Sequence, residues 1–271
     1  MIDLHVHTSR CGHAKGTVND YLRRARELGI EVLGVTDHLP LPVSALARDP
    51  RVAEYAMPES ELANYVGEVL DARAVAAANG GPQVLLGIEA DHIPGEEAYT
   101  RDLLSRYPFD LVLGSVHMID GWTFDDPERM EGYARWDIGA LWDRYFAQLA
   151  EAAASGLFDV LGHADLVKKF RFVPDDDLHD RYTRLADAVA GAGVAIEVNT
   201  AGLRKPCAEL YPALPLLKAF FRAGVPATIG SDAHVPSEVG YGYNLAVEAL
   251  AAVGYRNVVV FEGRVSREMR F

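Results

Sequence analysis

Histidine and carboxylate side chains stand at the ends of short apolar runs in this 271-residue chain, and both types bind divalent metal ions. The first run ends in His5-Val6-His7, and a late run leads into Ser231-Asp232-Ala233-His234. Residues i and i+2 of an extended segment point to the same side, so each pair can hold one ion. Single residues of the same kind end or follow other runs: His38, Glu89, His117 and His163. His13 follows a turn at Gly12 and can fold back over the same place.

The apolar runs alternate with segments of helical period, which is typical of repeated strand-helix units. We expect seven strands, at residues 2–7, 32–36, 84–89, 111–116, 160–163, 195–199 and 227–231. We expect seven helices, at about residues 17–28, 58–79, 96–106, 138–155, 177–192, 209–223 and 245–253. The run at 258–261 could form one more strand, and the long connections 40–58 and 118–137 are of the sort that line sites.

Seven such repeats without a Pro/Gly/Ser linker predict one α/β domain over residues 1–271, closed or nearly closed into a barrel. A doubly wound open sheet is the alternative. In an α/β barrel the C-terminal ends of all parallel strands meet at one rim. The barrel therefore predicts that the histidines and carboxylates named above meet in one bowl.

Composition excludes several classes of protein. The chain has 26 Lys+Arg and 39 Asp+Glu, a formal net charge of -13, so its surface disfavours a nucleic-acid backbone without excluding a local metal site. Two cysteines cannot form a disulfide framework, and the N-terminus has no secretory signal. No apolar stretch is long enough to span a membrane. We therefore expect a soluble, cytoplasmic protein.

The placement of the nine histidines is informative. A lone histidine is usually on the surface or satisfied in the core, but burying seven at strand ends without a metal would require many hydrogen-bond partners. The other two, His92 and His179, are expected in an exposed loop and on a solvated helix start.

Six motifs together resemble the PHP (polymerase and histidinol phosphatase) superfamily over essentially the whole chain: His5-Val6-His7, Thr36-Asp37-His38, Gly87-Ile88-Glu89, Ser115-Val116-His117, Gly162-His163-Ala164-Asp165 and Ser231-Asp232-Ala233-His234. Within it, a looser similarity to monofunctional histidinol-phosphate phosphatases is carried by Cys11-Gly12-His13-Ala14, Glu89-Ala90-Asp91 and residues 197–205. The resemblance implies a distorted seven-stranded (β/α)7 TIM-like barrel with a trinuclear metal centre.

The resemblance also implies how the ligands are shared among three divalent ions of zinc, iron or manganese. One ion would take His5, His7, Glu89 and Asp232, and a second would share Glu89 and add His117 and His163. The third would take the remaining histidines, His13, His38 and His234. The ions would make the bowl cationic and supply a bridging hydroxide as nucleophile, so no catalytic residue beyond the ligands is expected.

Substrate contacts are expected from residues close after the ligand-bearing strands. Arg171 and Arg204 are candidates for the phosphate, because arginine binds two phosphate oxygens at once. Lys168 is a further candidate beside Arg171, whereas Lys205 is expected to be solvated. Glu197 and Asn199 could bind an imidazole-bearing amino-alcohol. Two aromatic residues could form an apolar wall, and one thiol is expected to be a bystander: Trp122, Phe124 and Cys11.

These features predict a metal-dependent phosphomonoesterase that hydrolyses L-histidinol phosphate to L-histidinol and phosphate in histidine biosynthesis. The alternative is a broader PHP phosphoesterase or exonuclease acting on nucleotides, against which the net charge and the absence of a basic track argue. A metal-binding or regulatory protein without turnover is a third hypothesis. The expected partner is a small phosphate monoester, without nucleic acid or membrane, and the oligomeric state is left open.

Overall fold

Seven parallel strands curve around a common axis in the computed structural model, which describes residues 1–271. They lie side by side in the same order as along the chain. Their bounds are β1 Ile2–Val6, β2 Val32–Val35, β3 Gln83–Asp91, β4 Leu111–Ser115, β7 Val160–Leu161, β8 Ala195–Asn199 and β9 Ala227–Gly230. Two short strands, β5 (Met118–Ile119) and β6 (Trp122–Thr123), form a separate hairpin after β4.

The first and last strands of the series meet, so the sheet nearly closes. The backbone N–H of His7 donates to the carbonyl of Ala233 at 2.9 Å, and Val6 and Ala233 form a parallel bridge. The buried carboxylate of Asp3 joins the same two edges, since it accepts from the backbone N–H groups of Ser231 and Gly240, both at 2.8 Å. The expected seven-stranded α/β barrel is confirmed, and the open sheet is excluded.

Helices fill the connections and cover the outside of the strands. A capping box starts α1, because Thr17 and Asp20 cap its first turn reciprocally, and Gly29 ends that helix with φ +68°. The helices are α1 Val18–Leu28, α2 Val43–Arg48, α3 Leu62–Ala78, α4 Glu97–Ser105, α5 Ile138–Ala154, α6 His179–Ala192, α7 Leu214–Arg222 and α8 Tyr243–Val253. None of them combines the length and the apolarity that crossing a membrane requires.

In the C-terminal third, one expectation is wrong in detail and another is confirmed. The helix expected at 209–223 begins only at Leu214, because residues before it pair with β8: Tyr211 and Asn199 exchange backbone hydrogen bonds of 3.0 and 2.6 Å. The run at 258–261 is a strand, but β10 (Asn257–Glu262) pairs antiparallel with β11 (Val265–Arg270) outside the barrel sheet. A continuous hydrophobic cluster nevertheless extends from Ile2 to Phe261.

Candidate metal centre

All nine side chains that the sequence singled out as ligands converge at the C-terminal rim of the barrel, around Glu89. One carboxylate oxygen of Glu89, Oε2, lies 3.3 Å from Nε2 of both His5 and His7. The other, Oε1, lies 3.0 Å from Nε2 of His163 and 3.7 Å from Nε2 of His117. Glu89 is 1% exposed, so its carboxylate stands buried at the middle of the cluster.

Two groups of donor atoms correspond to the first two ion sites that the family resemblance implied. His5, His7 and Asp232 present donor atoms within 4.8 Å of one another, and so do Glu89, His117 and His163. For the third site, the Nε2 atoms of His13 and His234 lie 2.9 Å apart. The geometry also groups His38 and His234 with His7. The distribution of nine ligands over three ions stays a prediction.

Four of these histidines are held from behind by oxygen atoms. Nδ1 of His5 contacts Glu197 at 2.8 Å, and Nδ1 of His117 contacts Asp91 at 2.9 Å. Nδ1 of His13 and of His234 face the backbone carbonyls of Cys11 and Asp232, both at 3.1 Å. A hydrogen bond at the outer nitrogen fixes the tautomer and directs Nε2 toward a metal.

His13 and His234 are arranged to bind a metal ion rather than to form a hydrogen bond with each other. Carbonyl oxygens only accept hydrogen bonds, so His13 and His234 must donate at Nδ1, which leaves each neutral ring a lone pair at Nε2. These two lone pairs face each other at 2.9 Å. The arrangement is therefore suited to a cation between the rings.

The carboxylates of the cluster are held in their ionised form. Burial alone would raise the pKa of Glu89, but the imidazoles of His38 and His5 bring it well below its usual range. The pKa of Asp232 is likewise brought well below its usual range, since His5 and His7 outweigh the effect of burial. Both carboxylates are thus ready to bind cations at neutral pH.

The histidines divide into two classes by charge. Burial, reinforced by the neighbouring His234, lowers the pKa of His7 to about 3. Burial also takes the pKa of His38 well below its usual value. The pKa of His117 is raised to about 10 because Asp91 outweighs the effect of burial. Neutral imidazoles are available as ligands, whereas a protonated His117 must release a proton when a metal binds.

Two residues expected to contact the substrate lie behind the cluster instead. Glu197 is fully buried and accepts hydrogen bonds from His5 Nδ1, from the backbone N–H of His163 at 3.1 Å and from Asn199 Nδ2 at 3.0 Å. Asn199 is also fully buried, and its Nδ2 lies 3.3 Å from Asp232 Oδ2. Their polar atoms are used within the protein, so the structure places them as supports of the ligands.

The backbone makes room for this support. A Cβ at Gly230 would lie 2.0 Å from Glu197 Oε1, so only glycine allows β9 to pass so close to the carboxylate. His163 and Asp232 have φ values of +26° and +51°, a region that residues other than glycine seldom adopt. Such backbone strain clusters at functional sites, where the surrounding contacts hold it in place.

A cavity of about 350 Å³ opens above the cluster. Besides candidate ligands, it is lined by acidic, cationic and apolar side chains that include Asp91, Asp125, Asp126, Lys169, Lys205, Tyr55, Val52, Leu41, Met118 and Pro127. Many of them come from the two long connections, 40–58 and 118–137, as expected for loops that line a site. Asp125, Asp126 and Tyr55 were not predicted from the sequence, although their position in these loops was a signal.

The cationic residues are arranged differently from the expectation. Lys168 is 3% exposed and does not line the cavity, because its Nζ pairs with Asp165 at 2.9 Å and donates to the carbonyl of Leu210 at 2.7 Å. Arg171 is exposed, and its Nε donates to a backbone carbonyl at 2.5 Å outside the cavity lining. The neighbouring lysines, Lys169 and Lys205, line the cavity instead.

Arg204 lies against the ligand-bearing loop after β9. Its Nη2 donates to the backbone carbonyls of Ser231 and Asp232, at 2.9 and 3.2 Å, and its guanidinium lies 5.0 Å from the ring of Tyr241. Its Nη1 is buried and has no hydrogen-bond partner within the protein. Its Nε lies 3.4 Å from Glu238 Oε1, and the residue does not line the cavity, so Nη1 is the charged donor that it retains beside the cluster.

Other expectations about side chains have mixed outcomes. Phe124 is fully buried, and neither it nor Trp122 lines the cavity, so the expected apolar wall is wrong. His92 is 4% exposed rather than in an exposed loop, because Phe158 and Gln148 cover it. His179 is exposed, as expected. Burial raises the pKa of the Cys11 thiol far above its usual range, which keeps it protonated.

Comparisons with known proteins agree with this architecture. The family model described as the PHP domain matches residues 3–201, and a second model, described as PHP-associated, matches residues 218–251. A probable histidinol-phosphatase of Deinococcus radiodurans is 41% identical, with 95% of each chain covered. The histidinol-phosphatase of Bacillus subtilis is 28% identical, with 91% of this chain and 98% of that protein covered.

A solved structure shares the fold. The histidinol phosphate phosphatase of Lactococcus lactis, in complex with zinc, L-histidinol and phosphate, superimposes with a TM-score of 0.80. The two chains are 19% identical, and 98% of each is covered. This similarity supports the nearly closed barrel found here.

Proposed function

The chain belongs to the PHP domain family, and from this membership and the geometry of its cavity we propose that it hydrolyses L-histidinol phosphate to L-histidinol and phosphate. The observation that carries the proposal is the convergence of nine histidine and carboxylate side chains beneath a cavity of about 350 Å³. The relative from Deinococcus radiodurans, which shares 41% of its residues over 95% of the chain, supports this choice of substrate.

We propose that the cluster holds three divalent ions, of zinc, iron or manganese, through His5, His7, His13, His38, Glu89, His117, His163, Asp232 and His234. Bound there, such ions would supply Lewis acidity and positive charge for displacement at phosphorus. The role of this chain is to hold the ligands in position. Buried oxygen atoms behind four of the histidines serve that role.

We assign the phosphate of the substrate to the side of the cavity that is lined by Lys205, next to which Arg204 lies outside the lining. Arg204 has a buried donor, Nη1, that no protein atom uses, and Lys205 is exposed on the cavity lining. A charge-assisted hydrogen bond to a phosphate oxygen would satisfy that donor. These two cations would orient the phosphate over the cluster.

Two groups that could act as a nucleophile or as an acid do not line the cavity. The thiol of Cys11 is buried and held protonated. Asp165, the last residue of the Gly162-His163-Ala164-Asp165 motif, is fully buried and accepts from the backbone N–H of Ala213 at 2.8 Å. Direct hydrolysis by water, without a covalent enzyme intermediate, fits this arrangement.

We propose that residues 1–271 act as one catalytic unit, because one hydrophobic cluster joins the barrel to the C-terminal strands. A role in histidine biosynthesis would place it in the cytoplasm, where its two free cysteines stay reduced. The partner we infer is a small phosphate monoester rather than a nucleic acid, in keeping with the net charge of -13.

A comparison of substrates tests the proposal. The metal-loaded protein would be assayed with L-histidinol phosphate, p-nitrophenyl phosphate, a nucleoside monophosphate and a single-stranded oligonucleotide. We expect kcat/KM for histidinol phosphate to exceed the others by orders of magnitude. Equal rates on all monoesters would favour a general phosphoesterase, preference for the oligonucleotide would favour a nuclease, and no turnover on any of them would favour a non-catalytic protein.

A further inference from the structure

One carboxylate on the cavity lining has an oxygen atom that nothing in the protein uses and that belongs to none of the groups able to hold a metal. This residue is Asp125, which follows the short hairpin of β5 and β6. Its Oδ2 accepts from Nζ of Lys169 at 3.1 Å, while its Oδ1 has no protein partner. The side chain is 20% exposed, so Oδ1 is accessible from the cavity.

The other acidic residues on the lining are already engaged. Asp91 holds His117 at 2.9 Å and is grouped with His38 and His117 as a possible metal ligand. Asp126 caps the following turn through the backbone N–H of Glu128, and its second oxygen accepts from the hydroxyl of Tyr55 at 3.0 Å. Asp125 is therefore the lining carboxylate that is both outside the candidate metal groups and free at one oxygen.

Asp125 is also fixed in place. Nζ of Lys169 donates to the backbone carbonyl of Asp125 at 2.6 Å as well as to its carboxylate, so two contacts hold this point of the loop. Burial by itself would raise the pKa of Asp125, but the charge of Lys169 lowers it. An ionised, positioned carboxylate within a partly enclosed cavity is suited to bind an organic cation.

We propose that Asp125 binds the ammonium group of the substrate and so selects amino-alcohol phosphates over phosphate esters without a cation. The inference rests on the proposed function, because it needs a substrate whose amine lies on the carbon next to the phosphate ester. The phosphate would lie toward Arg204 and Lys205, and the amine toward the free oxygen of Asp125. Contacts to these two adjacent charged groups would then fix the orientation of the substrate over the cluster.

The variant Asp125→Asn tests this role with little change of shape. The amide keeps the size of the side chain, and Lys169 keeps its hydrogen bond to the backbone carbonyl. We expect kcat/KM for L-histidinol phosphate to fall roughly 10- to 100-fold, the range for the loss of one hydrogen bond to a charged group. The fall for p-nitrophenyl phosphate, which has no amine, should be far smaller, and the zinc content should equal that of the wild type.

A second substrate separates the amine from the imidazole. N-acetyl-L-histidinol phosphate keeps the imidazole and loses the ammonium charge, so the wild type should discriminate against it and Asp125→Asn should not. Asp120→Asn is the matched control: Asp120 lies in the same connection, is 57% exposed, pairs with Arg144 at 3.2 Å and is outside the cavity. Asp120→Asn should leave kcat/KM unchanged for L-histidinol phosphate, N-acetyl-L-histidinol phosphate and p-nitrophenyl phosphate.

The outcomes are distinguishable. If the wild type hydrolyses histidinol phosphate but Asp125→Asn loses the same factor on every substrate, or loses nothing, the ammonium role is wrong and the proposed function stands. If the wild type hydrolyses only p-nitrophenyl phosphate, the proposed function is wrong and this inference falls with it. Discrimination against the acetylated substrate that survives in Asp125→Asn would also overturn it.

Discussion

Replacing Glu197 by glutamine should weaken metal binding, although Glu197 is not itself a candidate ligand. Its Oε1 accepts from Nδ1 of His5 at 2.8 Å, and its Oε2 accepts from the backbone N–H of His163 at 3.1 Å and from Asn199 at 3.0 Å. A carboxylate accepts on both sides, whereas an amide accepts on one side and donates on the other. In Glu197→Gln, the NH2 of the new amide must therefore face an N–H group that now donates to Glu197.

Either orientation of the amide is unfavourable. If its NH2 faces His5, the ring must accept at Nδ1, and its proton moves to Nε2, the nitrogen 3.3 Å from Glu89 that should bind the metal. If its NH2 faces the other side, the backbone N–H of His163 loses its acceptor at a strained φ of +26°. Loss of such an outer partner typically costs 10- to 100-fold in metal affinity, about 1.4 to 2.8 kcal/mol.

The assay is a zinc titration of metal-free protein in competition with a chromophoric chelator, followed by KM and kcat at saturating zinc. We expect the Kd for zinc to rise roughly 10- to 100-fold in Glu197→Gln, with KM near that of the wild type. Glu151→Gln is the matched control, since Glu151 is 50% exposed, lies on α5 and belongs to none of the groups that could hold a metal. Melting temperatures of the metal-free variants report any general loss of stability.

An unchanged Kd for zinc in Glu197→Gln, with a KM raised by an order of magnitude, would refute this reasoning. It would mean that Glu197 contacts the substrate, as the sequence alone suggested. A weaker zinc affinity that Glu151→Gln shares would equally refute it, because the effect would then follow from the loss of one surface charge.

Three further predictions concern two cationic residues and one buried histidine. Arg204→Ala should raise KM for histidinol phosphate roughly 10- to 100-fold with unchanged metal content, because it removes a free charged donor; a normal KM would exclude Arg204 from phosphate binding. Lys168→Met should lower the free energy of unfolding by about 3 to 5 kcal/mol without changing KM, since it leaves the buried Asp165 unpaired, and denaturant titration measures this. His7 has a pKa of about 3 in the folded protein but about 6.5 when unfolded, so the unfolded chain takes up its proton first. The free energy of unfolding of the metal-free protein should therefore fall as the pH falls from 6.5 toward 3. In His7→Gln, denaturant titration over that range should show a smaller fall. An equal fall in both proteins would contradict the low pKa of His7.

The strand ends could be predicted from the sequence because both signals are local. Each strand is a short apolar run, and the polar residue that ends it, such as His7 or His117, must lie at the rim once the strands are parallel. The helix expected at about 17–28 is equally local, since Thr17 and Asp20 cap its start, and the structure confirms it.

The orientations of side chains could not be predicted, because they depend on contacts distant in sequence. Lys168 and Lys169 are adjacent, yet one turns inward to Asp165 and the other lines the cavity beside Asp125. The burial of His92 depends on Gln148, 56 positions away. Glu197 was expected at the mouth of a site because it lies in the last residues of a strand, but its contact with His5 places it behind the ligands. Only the folded barrel determines which of these faces the substrate.

The central claim is that this cluster, filled with divalent ions, hydrolyses L-histidinol phosphate. The most direct test is a titration of fully chelated protein with zinc, iron(II) or manganese(II), in which bound metal per chain and turnover of histidinol phosphate are measured on the same samples. The account predicts no turnover without metal and an activity that rises with occupancy until about three ions are bound per chain. Turnover of histidinol phosphate that persists in the chelated protein would contradict this claim. A fully metal-loaded protein that shows no turnover would contradict it as well.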